Sequence, residues 1–470
     1  MIYEWRLFWV GDGGDPVGGR PVPGWEDLEA RERALGLRER QPILVSPDGR
    51  VDPRLSECLR RSAFSAKAQG TQVTYAPLYR LFFTFLWQRG LNWDEASEDD
   101  VEDWEDWRRR GATNPAPVDG GTWAKEQAAL KLLYGIAAQR GLVPANPVTL
   151  TSPSDVKTSD VKWLSPRAFR LWRNVGLGGM LPSGLEDEAW RGRSAGRDTA
   201  YADLMYSSGL RRREGGTLLL CELPALGRRN YYAGRVGQAV AKRAGYTFYV
   251  GHQALQRVEG YRMSTRAFAV ARARRRGVYD RLPDLRIIQR VSRAGRVQWK
   301  GRDGRAGESA LGRLTAAERM RLFVEGEDGL EPAMLWLTES GLPLRYTSWT
   351  KVFERASDRC AAAGLKVFAT PKMLRHSMAL RTLIALHNAL DRRLGLTPAE
   401  RLHYEEVYGQ VWLMVKDMLG HRSEQVTRDV YLEPVRGLQL ESLLGDDDNP
   451  VNAETIAELA ARTGLILDAA

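Results

Sequence analysis

Apolar residues recur at helical spacing from about residue 56 to residue 146. Between Thr74 and Arg89, Leu78, Leu81, Phe82, Phe85 and Leu86 fall on one face, which predicts an amphipathic helix with a basic remainder. Ser97 precedes Glu98, Asp99 and Asp100, a cap followed by acids that complement a helix N-terminus. Val101, Trp104 and Trp107 carry that second stripe onward. A third helix is predicted from Thr122 to Arg140 through Leu130, Leu133, Tyr134 and Ile136, stopped by Gly141 and closed by Asn146-Pro147. Ahead of this bundle, residues 1–55 are rich in Gly and Pro and read as an arm or cap of unassigned role. Within it Tyr3 to Val10 has strand character and Trp25 to Leu37 is helix-like.

The helical pattern lapses over residues 149–162, a Ser/Thr stretch with no apolar period, which reads as a linker between units 56–148 and 163–446. In the second unit, Ser165-Pro166 is a cap followed by proline at the first helical position. A helix is expected from Asp198 to Ser208, ended by Gly209, and another from Gln253 to Arg262. Leu218–Cys221 and Tyr246–Val250 have strand character, with a basic turn through Lys242 between them. Residues 380–416 hold two helix-like pieces joined at Gly395-Leu396-Thr397-Pro398. Leu438–Leu444 is a short amphipathic helix, and residues 447–470 are an acidic linker and a last helix, Ala453–Thr463.

Composition narrows the partners. The chain has 470 residues, a net charge of +10 and a pI near 9.5, which favour a polyanion. The three cysteines, Cys58, Cys221 and Cys360, are widely spaced and odd in number, which excludes a disulfide framework and fits a reducing cytoplasm. No apolar run approaches the roughly 18 residues of a membrane span, and Met1 to Val10 does not read as a leader. From Arg266 to Arg305 thirteen basic residues face three acids, an excess for which phosphates are natural counter-ions. Arg272, Arg274, Arg275, Arg276, Arg293, Arg296, Lys300 and Arg302 are the candidate contacts there.

Three phrases carry the chemistry. They are Ser208-Gly209-Leu210-Arg211-Arg212-Arg213-Glu214, Met373-Leu374-Arg375-His376 and Leu419-Gly420-His421, with Tyr431 ten residues further on. Arginine offers a planar fork of donors to phosphate oxygens, and a tyrosine becomes a covalent nucleophile when such charges stabilise what forms. Each phrase alone is weak; a lone Arg-His is usually a surface pair and a lone tyrosine usually half-buried core. In this order they resemble the tyrosine recombinase, or phage integrase, family, and within it the integrases of actinobacterial phages and mobile elements. The resemblance spans roughly residues 60–445.

That resemblance implies a mainly α fold with a small antiparallel β-sheet in the catalytic domain, preceded by a helical, SAM-like core-binding domain. It implies duplex DNA at attachment sites as substrate, with the two domains closing around it as a homo-tetramer assembles. A directionality or host accessory protein would be a further partner, and the setting cytoplasmic and nucleoid-associated. It also implies no cofactor and no metal, because bond energy is kept in a 3′-phosphotyrosyl link. Arg211 and Arg375 would hold the scissile phosphate, Tyr431 would attack it, and His421 would donate to a non-bridging oxygen. Glu214 would orient Arg211, and His376 would pack beside the site.

Two lysine roles stay open. The family's proton-donating lysine lies in a turn between strands, which Lys242 matches in order; Lys300 in Val297–Arg302 is the rival. Lys372 stands where the family has a histidine, three residues before Arg375, and would act as base or by charge alone. Related readings are a telomere resolvase or type IB topoisomerase with the same chemistry, and a non-catalytic DNA-binding protein of this fold.

Overall fold

The computed structural model describes residues 4–10, 31, 34, 36–37, 41–149, 162–242, 244–388, 411–420 and 466–467. The linker reading at 150–161, the joint at Gly395–Pro398, His421, Tyr431 and the helices expected at 438–444 and 453–463 lie outside the described residues. So does most of the Trp25–Leu37 stretch. The chain divides into two compact units, 1–158 and 159–470.

In the first unit, β1 (Arg6–Trp9) pairs antiparallel with β2 (Pro42–Val45). Five helices follow among the described residues: α1 (Pro53–Arg60), α2 (Ser62–Ser65), α3 (Gln69–Gln88), α4 (Glu98–Arg110) and α5 (Gly120–Gln139). Trp5 and Leu44 share a core with Phe82, Trp104, Leu133 and Tyr134, so the described strands of the segment read as an arm or cap pack into the helical unit. Ser97 caps α4 as its sequence predicts: Asp100 N–H donates to Ser97 Oγ at 3.3 Å, and Ser97 N–H to Asp100 Oδ2 at 2.9 Å. Helix α3 begins five residues before Thr74, because its first turn is largely solvent-facing and leaves no apolar signature.

The second unit opens with β3 (Trp163–Leu164), then α6 (Pro166–Trp172), α7 (Ala195–Ser208) and the short α8 (Arg212–Gly216). Ser165 Oγ accepts from Ala168 N–H at 3.1 Å, with Pro166 at the first helical position. The hairpin β4 (Tyr231–Val236) and β5 (Tyr246–Gly251) leads into α9 (His252–Tyr261) and α10 (Ala267–Arg275). A five-stranded sheet then forms from β6 (Arg286–Val291), β7 (Arg296–Gly301), β8 (Ala306–Ala310), β9 (Leu322–Gly326) and β10 (Gly329–Pro332), with α11 (Ala316–Met320) between β8 and β9. Its order is β10-β9-β6-β7-β8. Helices α12 (Ser348–Ala362), α13 (Pro371–Asn388) and α14 (Val411–Leu419) complete the body, and β11 (Ile466–Leu467) pairs parallel with β3. Tyr201 stacks on Trp349 at 3.5 Å in the main core, beside Trp336 and Phe353.

The mainly α class holds, and the small antiparallel sheet is β4–β5; the larger, five-stranded sheet is mixed, because β6 and β9 run parallel. The β6 sequence carries no strand period, because Ile287 and Ile288 are adjacent and lie between Arg286 and Arg290, and β7 offers only Val297 and Trp299 as alternating apolar positions. Leu218–Cys221 is not a strand: Leu219 forms one isolated bridge to Met334, and Leu220–Glu222 is a 3-10 turn. Glu222 closes that turn by accepting from Leu219 N–H at 3.1 Å while it pairs with buried Arg319. Among the described residues, no helix is long and apolar enough to cross a membrane.

Candidate functional site

Helix α7 ends at Gly209, whose φ of +65° lets the chain reverse without strain. Arg211 follows, and Glu214 lies three residues on in α8, 1% exposed. The Glu214 carboxylate has two duties. Its Oε2 accepts from Arg211 N–H at 2.8 Å, capping α8, and its Oε1 accepts from Arg211 Nη1 at 2.9 Å. The i, i+3 geometry of one helical turn makes both contacts available to a single carboxylate. Tyr246, at the start of β5, adds a third bond by donating its hydroxyl to Glu214 Oε2 at 2.6 Å.

Arg375 lies in the second turn of α13 and is 6% exposed. Its Nη1 donates to Gly209 O at 2.6 Å and its Nη2 donates to Leu419 O. Among the described residues no carboxylate pairs with it. A buried guanidinium held by carbonyl oxygens keeps its positive charge, which is what an anion site needs. Gly420 closes the ring. Its φ is +59°, and a Cβ there would lie 2.9 Å from Tyr246 Cδ1, so the glycine lies flat on that ring.

The three phrases therefore meet. Arg211 joins Glu214, Glu214 joins Tyr246, Gly420 rests on Tyr246, Leu419 receives Arg375, and Arg375 returns to Gly209. The Tyr246 hydroxyl titrates well above its ordinary value, first through burial and then through the Glu214 carboxylate, while Arg375 and Arg211 both oppose the rise. Both guanidinium groups thus act on one phenolic oxygen, although they are 164 positions apart in sequence (375 − 211).

The remaining predicted residues fall in several places. Lys242 is exposed in the β4–β5 turn, and Lys372 is exposed one turn before Arg375 on α13. Lys300 is exposed on β7 of the five-stranded sheet and, among the described residues, makes no bond to the ring. His376 lies edge-on to Trp163 at 6.4 Å. His421 directly follows Gly420 but, like Tyr431, is outside the described residues.

Several candidate phosphate contacts have structural work. Arg274 Nε and Nη2 donate to Leu330 O at 2.8 Å and Gly329 O at 2.7 Å, fastening the β9–β10 turn. Arg272 donates to Glu339 O, Arg302 to Asp280 O, and Arg296 pairs with Glu308. Arg275, Arg276 and Arg293 are exposed.

Sequence reasoning missed Tyr246, read only as a strand residue, and Arg213, passed over inside the first phrase. Arg213 was visible by its place beside Arg211, but its contacts were not, since they cross to a turn 27 residues away. A cavity of about 850 Å³ opens beside Tyr246, lined by Thr247, Arg381, Asp417 and Met418. Neither Arg211 nor Arg375 lines it.

No protein-family model and no curated protein sequence matches the chain. It is similar to the XerH site-specific recombinase bound to palindromic difH substrate in a post-cleavage complex, at 13% identity over 85% of this chain and 90% of that one, with a TM-score of 0.46. It is also similar to the Tn1549 transposon integrase in complex with transposon right end DNA, at 14% identity, 83% and 99% coverage, and a TM-score of 0.45. The lambda integrase dimer bound to a COC′ core site gives 12% identity, 80% and 94% coverage, and a TM-score of 0.41. These three solved structures are thus site-specific recombinases and integrases.

Proposed function

We propose that the chain is a tyrosine recombinase, a DNA strand transferase that cuts and rejoins duplex DNA through a 3′-phosphotyrosyl intermediate. The observation that carries this reading is the closed ring through Arg211, Glu214, Tyr246, Gly420 and Arg375, which joins three phrases scattered along the sequence. Arg211 and Arg375 hold the non-bridging oxygens of one phosphodiester and offset the charge of its pentacoordinate transition state. Tyr431 attacks the phosphorus as its O–P bond forms and the P–O5′ bond breaks. The phenolic proton leaves to the neutral amine of Lys372 or, where Lys372 acts by charge alone, to solvent, and the Lys242 ammonium gives a proton to the departing 5′-oxygen, so one proton is lost and one gained. His421 donates to a non-bridging oxygen. Reversal with a second 5′-hydroxyl rejoins the strand, and the chemistry itself calls on no metal or nucleotide.

Integration or excision of a mobile element by a tetramer on attachment-site DNA is the finer reading, supported by the order and spacing of the phrases. Lys372 in place of a histidine favours, as a second reading, a strand transferase of the telomere-resolvase or type IB topoisomerase kind. The test is covalent capture. A randomised pool of nicked duplexes is incubated with the full-length protein, and sequences that become covalently attached are recovered. Tyr431→Phe is expected to bind the recovered duplex as the wild type does and to form no adduct. An adduct surviving in that variant moves the nucleophile elsewhere.

A further inference from the structure

Lys242 is exposed, yet the two residues before it are buried: Val240 is 2% and Ala241 5% exposed. Their carbonyls are tied down. Arg213 Nε donates to Val240 O at 2.7 Å and Arg213 Nη2 donates to Ala241 O at 2.6 Å. A planar guanidinium reaching two successive carbonyls fixes both the position and the orientation of the peptide unit between them. The turn is held from a second side as well. Ala239 N–H donates to Gly312 O at 2.8 Å, and within the turn Ala241 N–H donates to Gly237 O at 3.0 Å.

Gly312 belongs to the segment that leaves the five-stranded sheet, and that segment is itself fastened. Arg319, 1% exposed, donates from Nη2 to Leu311 O and from Nε to Leu314 O, each at 3.1 Å, and from Nη1 to Thr217 O at 3.1 Å. Thr217 directly follows α8, the helix that carries Arg213. The contacts therefore form a loop from α8 to Arg319, to Gly312, to the turn, and back through Arg213 to α8.

We propose that Arg213 is a positioning residue for Lys242, and that it and the Gly312 segment hold the turn 237–242 in place before DNA arrives. This rests on the assignment of Lys242 as the proton donor in strand cleavage. The tip of the lysine stays free to reach the 5′-oxygen while its base is fixed, so little backbone ordering is left for the moment of reaction. The same contacts tie the sheet to the chemistry: the Leu311–Arg313 turn that follows β8 braces the turn 237–242 through Gly312.

The test separates proton donation from every other step. The captured duplex is made in two forms, with oxygen or with sulfur at the 5′-bridging position of the cleaved bond. A thiolate leaves without a proton, since thiols titrate near 8.5, so the sulfur form bypasses the acid. General-acid catalysis contributes roughly 100- to 10,000-fold, and imperfect placement forfeits part of it. Lys242→Ala is expected to lose most of that factor on the oxygen duplex, and Arg213→Ala about 10- to 100-fold. Both variants are expected to cleave the sulfur duplex at close to the wild-type rate.

Wild-type speed of Arg213→Ala on oxygen, or equal slowing on both duplexes, overturns the proposal, the second outcome being plain structural damage. If Arg213→Ala does not fold, Gly237→Ala replaces it, because a Cβ there would lie 2.8 Å from Gly312 Cα and push the two segments apart. That variant must show the same sulfur rescue or the proposal falls. Failure of sulfur to rescue Lys242→Ala removes the lysine's role and this proposal with it. A wild-type protein that forms no adduct at all removes the underlying reading instead.

Discussion

At the scale of single residues, the site depends on groups whose chemistry is silent. Burial and then the Glu214 carboxylate hold the Tyr246 hydroxyl protonated, and that hydroxyl donates a hydrogen bond to the carboxylate at 2.6 Å. Its ring is the floor on which Gly420 rests. Replacing Gly420 by alanine meets two obstacles, a φ of +59° that costs an L-residue roughly 1–2 kcal/mol, and a Cβ within 2.9 Å of the Tyr246 ring. Gly420→Ala is expected to lower unfolding stability by roughly 1–3 kcal/mol and to slow adduct formation at least tenfold. Tyr246→Leu in the same chain relieves the steric part alone, so a double-mutant cycle in urea is expected to give a coupling of at least about 0.5 kcal/mol. Additive effects would detach the Leu-Gly-His phrase from the tyrosine. The three phrases were legible because arginine, glycine and histidine stand in a fixed order. Tyr246 was not, because nothing local marks a tyrosine that meets a carboxylate 32 positions away.

At the scale of elements, caps decide where helices begin, and α1 shows one with a pH signature. Asp52 accepts from Arg54 N–H at 2.8 Å and from Trp93 Nε1 at 2.9 Å, and pairs with the Arg54 guanidinium at 2.8 Å. Burial alone would raise its carboxyl, but the bonds from Arg54 and then Trp93 outweigh it and hold the group below 3.8. A depressed carboxyl adds stability that is fully present above its ordinary value and lost as pH falls through the lowered one. Asp52→Ala is therefore expected to cost about 0.5–2 kcal/mol near neutrality. The gap between variant and wild type should shrink as pH drops below 3.8, measured by urea unfolding at a series of pH values. An unchanging gap would mean the carboxylate charge is irrelevant to the cap. The strong caps at Ser97 and Ser165 were readable in sequence, because a short polar side chain before an acid or a proline has few other uses. The β6–β7 pair was not readable, since the apolar residues of β6, Ile287 and Ile288, are adjacent rather than alternate, and the pairing itself includes an irregularity between Ile288 and Arg290.

At the scale of the whole molecule, charge count and charge availability part company. Thirteen cations between 266 and 305 read as one DNA-binding run, yet the fold spends several of them internally. Arg266, 3% exposed, donates to Pro332 O and Leu335 O and pairs with Glu331, and Arg274 fastens the β9–β10 turn. Arg290 and Lys300 are instead exposed on the sheet, and Arg293 is exposed in the β6–β7 turn; among the described residues none of these three has a side-chain partner. Each phosphate contact releases counterions and contributes about 0.9 to the slope of log affinity against log salt. For cations that touch the duplex, replacing Arg290, Arg293 and Lys300 by alanine should flatten that slope by about 0.9 each, with no change in unfolding midpoint. Arg274→Ala should do the reverse, lowering the midpoint while leaving the slope within error. The measurement is fluorescence anisotropy on the captured duplex between about 50 and 200 mM salt, a range over which 6–10 contacts cost roughly 1,000- to 100,000-fold in affinity. An unchanged slope in the triple variant would place the DNA on another face and leave the sheet with only its bracing role beside Lys242.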